Sequence, residues 1–464
     1  MIDTTALKNS ILDLAFHGKL TSQNVTDGSA EELYNQICDE KRELIKSGKI
    51  KKNKIVPIKE EDIPFEIPNN WKWIRWGDLS EKIQYGYNAS AKSEGRIKMV
   101  RISDIQDNKV LWDTVPYCEI DEEQIPEYLL KENDILFART GGTVGKSYIV
   151  SDVSEDAVFA GYLIRTSYSN KLSSQYMKYF MESKLYWKQL RNGTIATAQP
   201  NCNGQTLSKM MVPLPPYAEQ VRIIETIEKA FAQIDVIDSL QQQYSSDLEV
   251  LKSKIIDAGI RGKLTEQLPE DGTAEELSKN HIDDIINQEE KILDIPSNWS
   301  WIKLGWAMEI ERGGSPRPIK AFVTDADDGI NWIKIGDVAK DGKYIYQTKE
   351  KIKPEGEQKS RKVYPGDFLL TNSMSFGRPY ISKIEGCIHD GWLLLRNTNE
   401  LFDLDYLYWL LSSGYAFKQF SKKAAGATVD NLNKDKVASA VIPLPPLSEQ
   451  KRIANVLEEI MNKL

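Results

Sequence analysis

Hydrophobic and polar positions alternate along this chain in two distinct rhythms. Between residues 63 and 216, and again between 295 and 446, short apolar runs are punctuated by turn residues. IKMVRIS, DILFART and SYIV are such runs in the first stretch, and NWIKIG, DFLLTN and PYISKI in the second. Their β-branched and aromatic residues, bounded by Gly, Asn, Asp and Ser, predict strands. Later in each stretch, Tyr176–Leu190 and Tyr406–Phe420 carry apolar residues near helical spacing and predict one helix each. The fold class expected is therefore α+β.

A different rhythm occupies residues 219–258. Ile224, Ile227, Phe231 and Ile234 recur at heptad-like spacing, and so do Tyr244, Leu248, Leu251, Ile255 and Ala258. The phase slips between the two sets at Asp235, Asp238 and Gln241–Gln243. This predicts one long helix with a coiled-coil seam. Pro213, Pro215 and Pro216 set its start, since proline is tolerated only in a first turn. Gly259 and Gly262 mark its end.

The pattern repeats. VPLPPYAEQVRII at 212–224 returns as IPLPPLSEQKRIA at 442–454, and IPNNWKWI at 67–74 returns as IPSNWSWI at 295–302. Gly161-Tyr-Leu-Ile faces Gly391-Trp-Leu-Leu. A third match has another offset: LKNSILDLAFHGKLT at 7–21 returns as LKSKIIDAGIRGKLT at 251–265, each followed by Ala-Glu-Glu-Leu. The implied layout is a partial helix over 1–22, a charged helix and linker over 23–62, and a first globular domain over 63–216. The central helix over 217–265, a linker over 266–294, a second globular domain over 295–446 and a partial helix over 447–464 follow. Residues 447–464 resemble the start of the central helix and 4–21 its end. The two ends are expected to pair together, antiparallel, with that helix, making the chain pseudo-two-fold symmetric.

Composition narrows the function. Of the 464 residues, 41% are hydrophobic and 28% charged, an ordinary globular mixture. No apolar run approaches a membrane span and no secretion signal opens the chain, so a cytoplasmic protein is expected. Cys38, Cys118, Cys202 and Cys387, and His17, His281 and His389, are dispersed, which argues against a metal site or a hydrolytic triad. The net charge of −8 is uneven. Residues 63–216 are neutral, 295–446 carry +3, and the helical connector 217–294 carries −10. The globular stretches therefore permit a nucleic-acid partner.

Two motifs imitate catalysis. Thr140-Gly-Gly-Thr-Val-Gly-Lys-Ser147 lacks the first glycine of a phosphate-binding loop, and its counterpart at 372–379 lacks Gly-Lys-Ser. It reads as a hairpin turn. Leu214-Pro-Pro-Tyr217 resembles an adenine-N6 methyltransferase loop but opens with leucine and has no cofactor loop beside it. It reads as a hinge. No carboxylate cluster recurs in both domains as a nuclease centre would.

The paired Pro-Pro-x-x-Glu-Gln hinges at 215–220 and 445–450, Trp71 and Trp299, and the Gly-Lys-Leu helix ends together resemble the specificity subunit of type I restriction–modification enzymes. The resemblance covers essentially the whole chain, in a circularly permuted arrangement with a partial helix at the N-terminus. It implies a non-catalytic subunit with two target recognition domains separated by long antiparallel coiled-coil helices. Each domain would read one half of a bipartite target in double-stranded DNA. The helices would space the halves and dock two methyltransferase subunits, with two restriction subunits joining them. S-adenosylmethionine, ATP and magnesium would reside on those partners, and none in this chain.

Base readout needs forked or amide side chains, and phosphate contact needs Lys, Arg and hydroxyls. Four loops recur and supply the expected DNA contacts. The first holds Tyr85, Tyr87, Asn88, Ser90 and Lys92, matched by Arg312, Ser315, Arg317 and Lys320. The second holds Arg101 and Lys334. The third holds Arg139, Thr140, Thr143 and Lys146, matched by Asn372, Ser373, Ser375 and Arg378. The fourth holds Gln199, Asn201 and Asn203, matched by Thr428, Asn431 and Asn433. Trp71, Trp73, Trp299 and Trp301 are expected in the core, and Asp104, Asp134, Asp337 and Asp367 to fix turns.

Overall fold

The computed structural model describes residues 1–51, 57–106, 108–151, 153, 155–194, 202–278, 293–339, 342–372, 377–424 and 432–464. The chain divides into two compact units, Met1–Gln242 and Gln243–Leu464. The division falls inside one continuous helix, Tyr217–Gly259, of 43 residues. At 1.5 Å per residue it spans about 65 Å. Each unit is α+β.

In the first unit, a four-stranded antiparallel sheet runs in the order Ser80–Tyr85, Leu163–Tyr168, Ile135–Ala138, Ser147–Ile149. Beside it, Ile97–Val100 pairs antiparallel with Tyr117–Cys118 and parallel with Ala157–Phe159. Phe137 and Ile164 pack with Trp76, Tyr176, Phe180 and Ile223 in one buried cluster. Burial of each such side chain contributes roughly 1.5–3 kcal/mol before entropy is charged against it.

The second unit repeats the plan. One five-stranded sheet orders Glu309–Arg312, Trp392–Arg396, Phe368–Thr371, Pro379–Ser382 and Tyr344–Ile345. A second orders Val323–Thr324, Glu350–Ile352, Ile330–Ile333, Gly386–Ile388 and Arg361–Val363, with Ile330–Ile333 parallel to Gly386–Ile388. In both units a two-stranded pair closes the domain: Lys72–Arg75 with Met211–Leu214, and Ser300–Lys303 with Val441–Leu444.

The expected pseudo-P-loop is a hairpin turn between Ile135–Ala138 and Ser147–Ile149, with no helix after it. The repeated Ala-Glu-Glu-Leu starts a helix in both units. Ser29 and Glu32 bond reciprocally across the first turn, and Thr273 and Glu276 do the same. The four aspartates cap turns: Asp104, Asp134, Asp337 and Asp367 each accept a backbone N–H from the residue three positions earlier.

The ends pair with the long helix as far as each unit shows. In the first unit, Thr4–Phe16 runs antiparallel to it, with Thr4 bonded to Asp238 at 3.1 Å and Lys8 paired with Asp235. In the second, Leu447–Met461 buries Ile453, Ala454 and Leu457, and Leu457 lies against Gly259.

Two expectations change. The single helices expected over Tyr176–Leu190 and Tyr406–Phe420 are each broken in two, as Ser174–Phe180 and Lys184–Thr194, and as Leu404–Ser412 and Gly414–Ala424. A serine makes each break. Ser183 and Ser413 donate to the preceding turn and accept the N–H of Tyr186 and Ala416, capping a new helix. The second half of the expected seam is covered only in part: Tyr244 and Leu251 are exposed, at 62% and 44%, while Leu248 and Ala258 are half-buried and Ile255 packs against the buried cluster of the second unit. Ile256, in the same stretch, and Ile260, just past the helix end, are buried in that cluster.

Candidate nucleic-acid interface

The four repeated loops meet at one turn in each unit. In the first unit it is Ala160–Tyr162. Ala160 N–H donates to Val100 O at 2.9 Å, beside the second loop. From the first loop, Gly86 N–H donates to Leu163 O at 3.0 Å and Tyr87 N–H to Phe159 O at 2.8 Å. Arg139 N–H, from the third loop, donates to Tyr162 O at 3.2 Å, and Cys202 N–H, from the fourth, donates to Arg139 O at 2.9 Å. The second unit uses the same scheme around His389–Gly391. Gly313 N–H reaches Trp392 O at 2.9 Å, Asn372 N–H reaches Gly391 O at 3.0 Å, and Leu432 N–H reaches Asn372 O at 3.0 Å. His389 Nε2 lies 3.2 Å from the Ile335 N–H. Backbone crowding is severe here: a Cβ on Gly313 would sit 2.1 Å from His389 O, so only glycine fits.

Side chains on this common frame differ between units. In the first, the Arg139 guanidinium lies over the Tyr85 ring at 4.7 Å, and the Tyr85 hydroxyl accepts the Gly204 N–H at 2.9 Å. The Arg139 Nε is buried without a hydrogen-bond partner among the described residues. Tyr87 stacks edge-on against Tyr128 at 5.3 Å. Asn88, Ser90 and Lys92 are exposed, and Lys92 lies 3.9 Å from Glu119. Thr140 is half-buried. Thr143 and Lys146 line a cavity of about 520 Å³ floored by Ile102, Leu136, Tyr148 and Leu163. In the second unit Arg312, Arg317 and Lys320 are exposed, while Arg378 is half-buried with its N–H on Thr371 Oγ1.

Several expected contacts serve the frame instead. Asn372 is only 2% exposed and donates to Asp390 O at 2.7 Å, so it cannot reach a base edge. Asn203 and Asn433 each accept a backbone N–H at 2.9 Å and cap short helices. Arg101 chelates Asp104 through two nitrogens, and Lys334 pairs with Glu350. Gln199, Asn201, Ser373, Ser375, Thr428 and Asn431 lie outside the described residues.

Three residues on the shared turn were not expected. Tyr162 is 67% exposed amid the loops of the first unit, whereas Gly391 stands at the matching position of the second. His389 and Asp390 belong to the second unit. The turn overlaps the repeated Gly-aromatic-Leu, which the sequence shows as a match between the domains without assigning it a DNA contact. Burial holds the His389 pKa below its ordinary value against the opposing charge of Asp390. The Ser315 hydroxyl, with His389 and Arg317 nearby, holds the Asp390 carboxyl below the usual range. Burial pushes the Cys202 thiol up to about 12 and Cys387 to about 11, so neither is a thiolate nucleophile at neutral pH.

At the hinges, the repeated motifs converge on one buried carboxylate per unit. Glu219 Oε2 accepts the Trp71 indole N–H at 2.9 Å, and Oε1 accepts Thr21 at 3.2 Å and Gln23 at 2.9 Å. Glu449 does the same with Trp299 at 2.8 Å, Thr265 at 3.2 Å and Gln267 at 2.8 Å. One turn further on, Arg222 clasps Asp27 and Arg452 clasps Asp271. The entire signature is thus one interaction made twice.

Residues 68–243 and 296–464 match the type I restriction modification DNA specificity domain. The chain belongs to this family. It is similar to the EcoEI specificity subunit of Escherichia coli, 29% identical over 55% of this chain and 45% of that protein. It is also similar to the MjaVIII specificity subunit of Methanocaldococcus jannaschii, 23% identical over 85% of this chain and 87% of the relative. The chain spans 45% and 61% of the lengths of the EcoEI and EcoAI subunits. Two solved structures share the fold. One comes from work on assembly of the type I R-M system: TM-score 0.63, 19% identity, covering 86% of this chain and 92% of that one. The other is the HsdS subunit of Thermoanaerobacter tengcongensis: TM-score 0.52, 20% identity, covering 86% of this chain and 91% of that one. No described helix is long and apolar enough to cross a membrane.

Proposed function

We propose that this chain is the non-catalytic DNA-recognition subunit of a type I restriction–modification complex. Each unit reads one half of a bipartite target in double-stranded DNA. The observation that carries the reading is the shared frame: four loops converge on one turn twice, over matching backbone hydrogen bonds, and present different side chains each time. Two readers built alike but dressed differently suit two unlike half-sites. In the first unit, Arg139 held against Tyr85 offers its terminal nitrogens to a guanine edge or a phosphate. Thr143 and Lys146 contact the adjacent backbone.

The long helix acts as the spacer. Half-sites about one duplex turn apart, ~34 Å, would meet readers held at a fixed distance. The helices also dock two adenine-N6 methyltransferase subunits, which carry S-adenosylmethionine, and two restriction subunits, which carry ATP and magnesium, complete the complex in the cytoplasm.

Methylome sequencing of a host expressing this chain with its methyltransferase partner tests the reading. The expected result is one bipartite motif with a fixed gap. Inserting a heptad within 235–247 should change the gap. Methylation without a bipartite motif, or an unaltered gap after the insertion, refutes it.

A further inference from the structure

Asp390 stands where a DNA-binding surface should avoid an acid. It lies on the turn that gathers the loops of the second unit, and its side chain is about half exposed, at 48%. A lone carboxylate there would repel phosphates. It is not alone. Asp390 Oδ1 accepts the Ser315 hydroxyl at 2.7 Å, and Oδ2 lies 3.5 Å from an Arg317 terminal nitrogen. The backbone beneath is fixed, since Asn372 donates to Asp390 O and the Asp390 N–H faces Ser315 Oγ. Arg317 itself is 79% exposed, so most of its guanidinium fork remains available. In the first unit Gly161 occupies the matching position, since Ala160 and His389 make the same backbone hydrogen bonds, to Val100 O and Ile333 O. The pair is therefore a device of one reader, not part of the common frame.

Resting on the proposed DNA-reading role, we infer that Asp390 is a positioning residue that presents Arg317 to one guanine of the second half-site. Arginine reads guanine by donating from two nitrogens to O6 and N7. That geometry needs the fork's plane and direction set beforehand, and an otherwise free arginine loses rotamer freedom on binding. Asp390 engages one edge of the guanidinium and leaves the other for the base. Ser315 fixes the carboxylate in turn. Exposed ion pairs contribute little to folding, so the pair can be altered without loss of the domain.

The test uses the full chain assembled with its methyltransferase partner, and duplexes in which each base pair of the second half-site is replaced in turn, at one fixed salt concentration. Wild type should discriminate at one G·C pair by on the order of tenfold or more. Arg317→Ala should abolish that preference. Asp390→Asn should weaken it at the same base pair by several-fold and leave other positions unchanged. Asp390→Glu should restore part of it. Asp390→Ala with Arg317→Ala should discriminate no worse than Arg317→Ala alone. Undiminished discrimination in Asp390→Asn, or a uniform loss at every position, overturns the inference while the DNA-reading role stands. A wild-type assembly without preference at any base pair overturns that role and the inference with it.

Discussion

Replacing Glu449 with glutamine removes one acceptor oxygen from a carboxylate that serves three donors. Glu449 is fully buried, and Trp299, Thr265 and Gln267 all point N–H or O–H at it. In the best placement the new amide oxygen keeps Thr265 and Gln267. Its NH₂ then faces the indole N–H, donor against donor. Trp299 is itself only 6% exposed, so its N–H finds no water in exchange. Orphaning a buried donor costs about 1–3 kcal/mol, and the two remaining bonds lose their charge assistance. Relief from burying a charge offsets part of this. The expected net loss is about 2 kcal/mol, or a fall in Tm of roughly 4–8 °C for a unit of this size. Thermal or urea unfolding of the full chain measures it. Trp299→Phe removes the opposing donor, so adding it to Glu449→Gln should recover much of the loss. Because the geometry at Glu219 is the same, Glu219→Gln should cost about as much. A change below about 0.5 kcal/mol at either hinge, or strict additivity with Trp299→Phe, would refute the argument that these carboxylates hold the helix ends to the domains.

Further outcomes follow from the same geometry. Asp271→Asn should destabilise by about 2 kcal/mol at pH 7, since Asp271 is buried and accepts two charged bonds from Arg452. Arg452 holds that carboxyl below its ordinary pKa, so its contribution is full above pH ~4 and is lost as pH falls through the lower folded value. Unfolding titrations should show a shallower acid limb in the variant. His389 has the opposite chemistry but the same sign. Its folded pKa is lowered, so the unfolded chain binds the proton first, and stability should fall as pH drops below about 6.5. The groups facing it are Asp390, Asp337 and Lys334. The neutral ring can accept through one nitrogen only, from the Gly391 N–H at Nδ1 or the Ile335 N–H at Nε2, and protonation removes that acceptor. His389→Gln should flatten stability between pH 5 and 7, as read by urea unfolding. Gly313→Ala should cost at least about 2 kcal/mol, because the added methyl meets backbone that has no room to move. Normal stability in that variant would mean the loops do not abut the turn as described.

The sequence by itself determined the duplication, the strand-rich domains, the long helix and the hinge signature. These are legible because they rest on local periodicity and on residues that recur at fixed offsets. It also marked the loops, through their turn residues and the divergence of their side chains. Tertiary structure alone decided what those residues do. The signature's Trp71, Thr21 and Gln23 meet on Glu219 across sequence separations of up to 198, and no spacing along the chain announces a shared acceptor. The same contacts decided which polar groups stay available. Asn372, Asn203 and Asn433 look like readers in the sequence, but the fold consumes their hydrogen-bonding groups in holding turns and capping helices. Tyr162 and Asp390 gain importance in the opposite way. Folding carries an unremarked turn to the point where four loops meet, and leaves those two side chains facing outward.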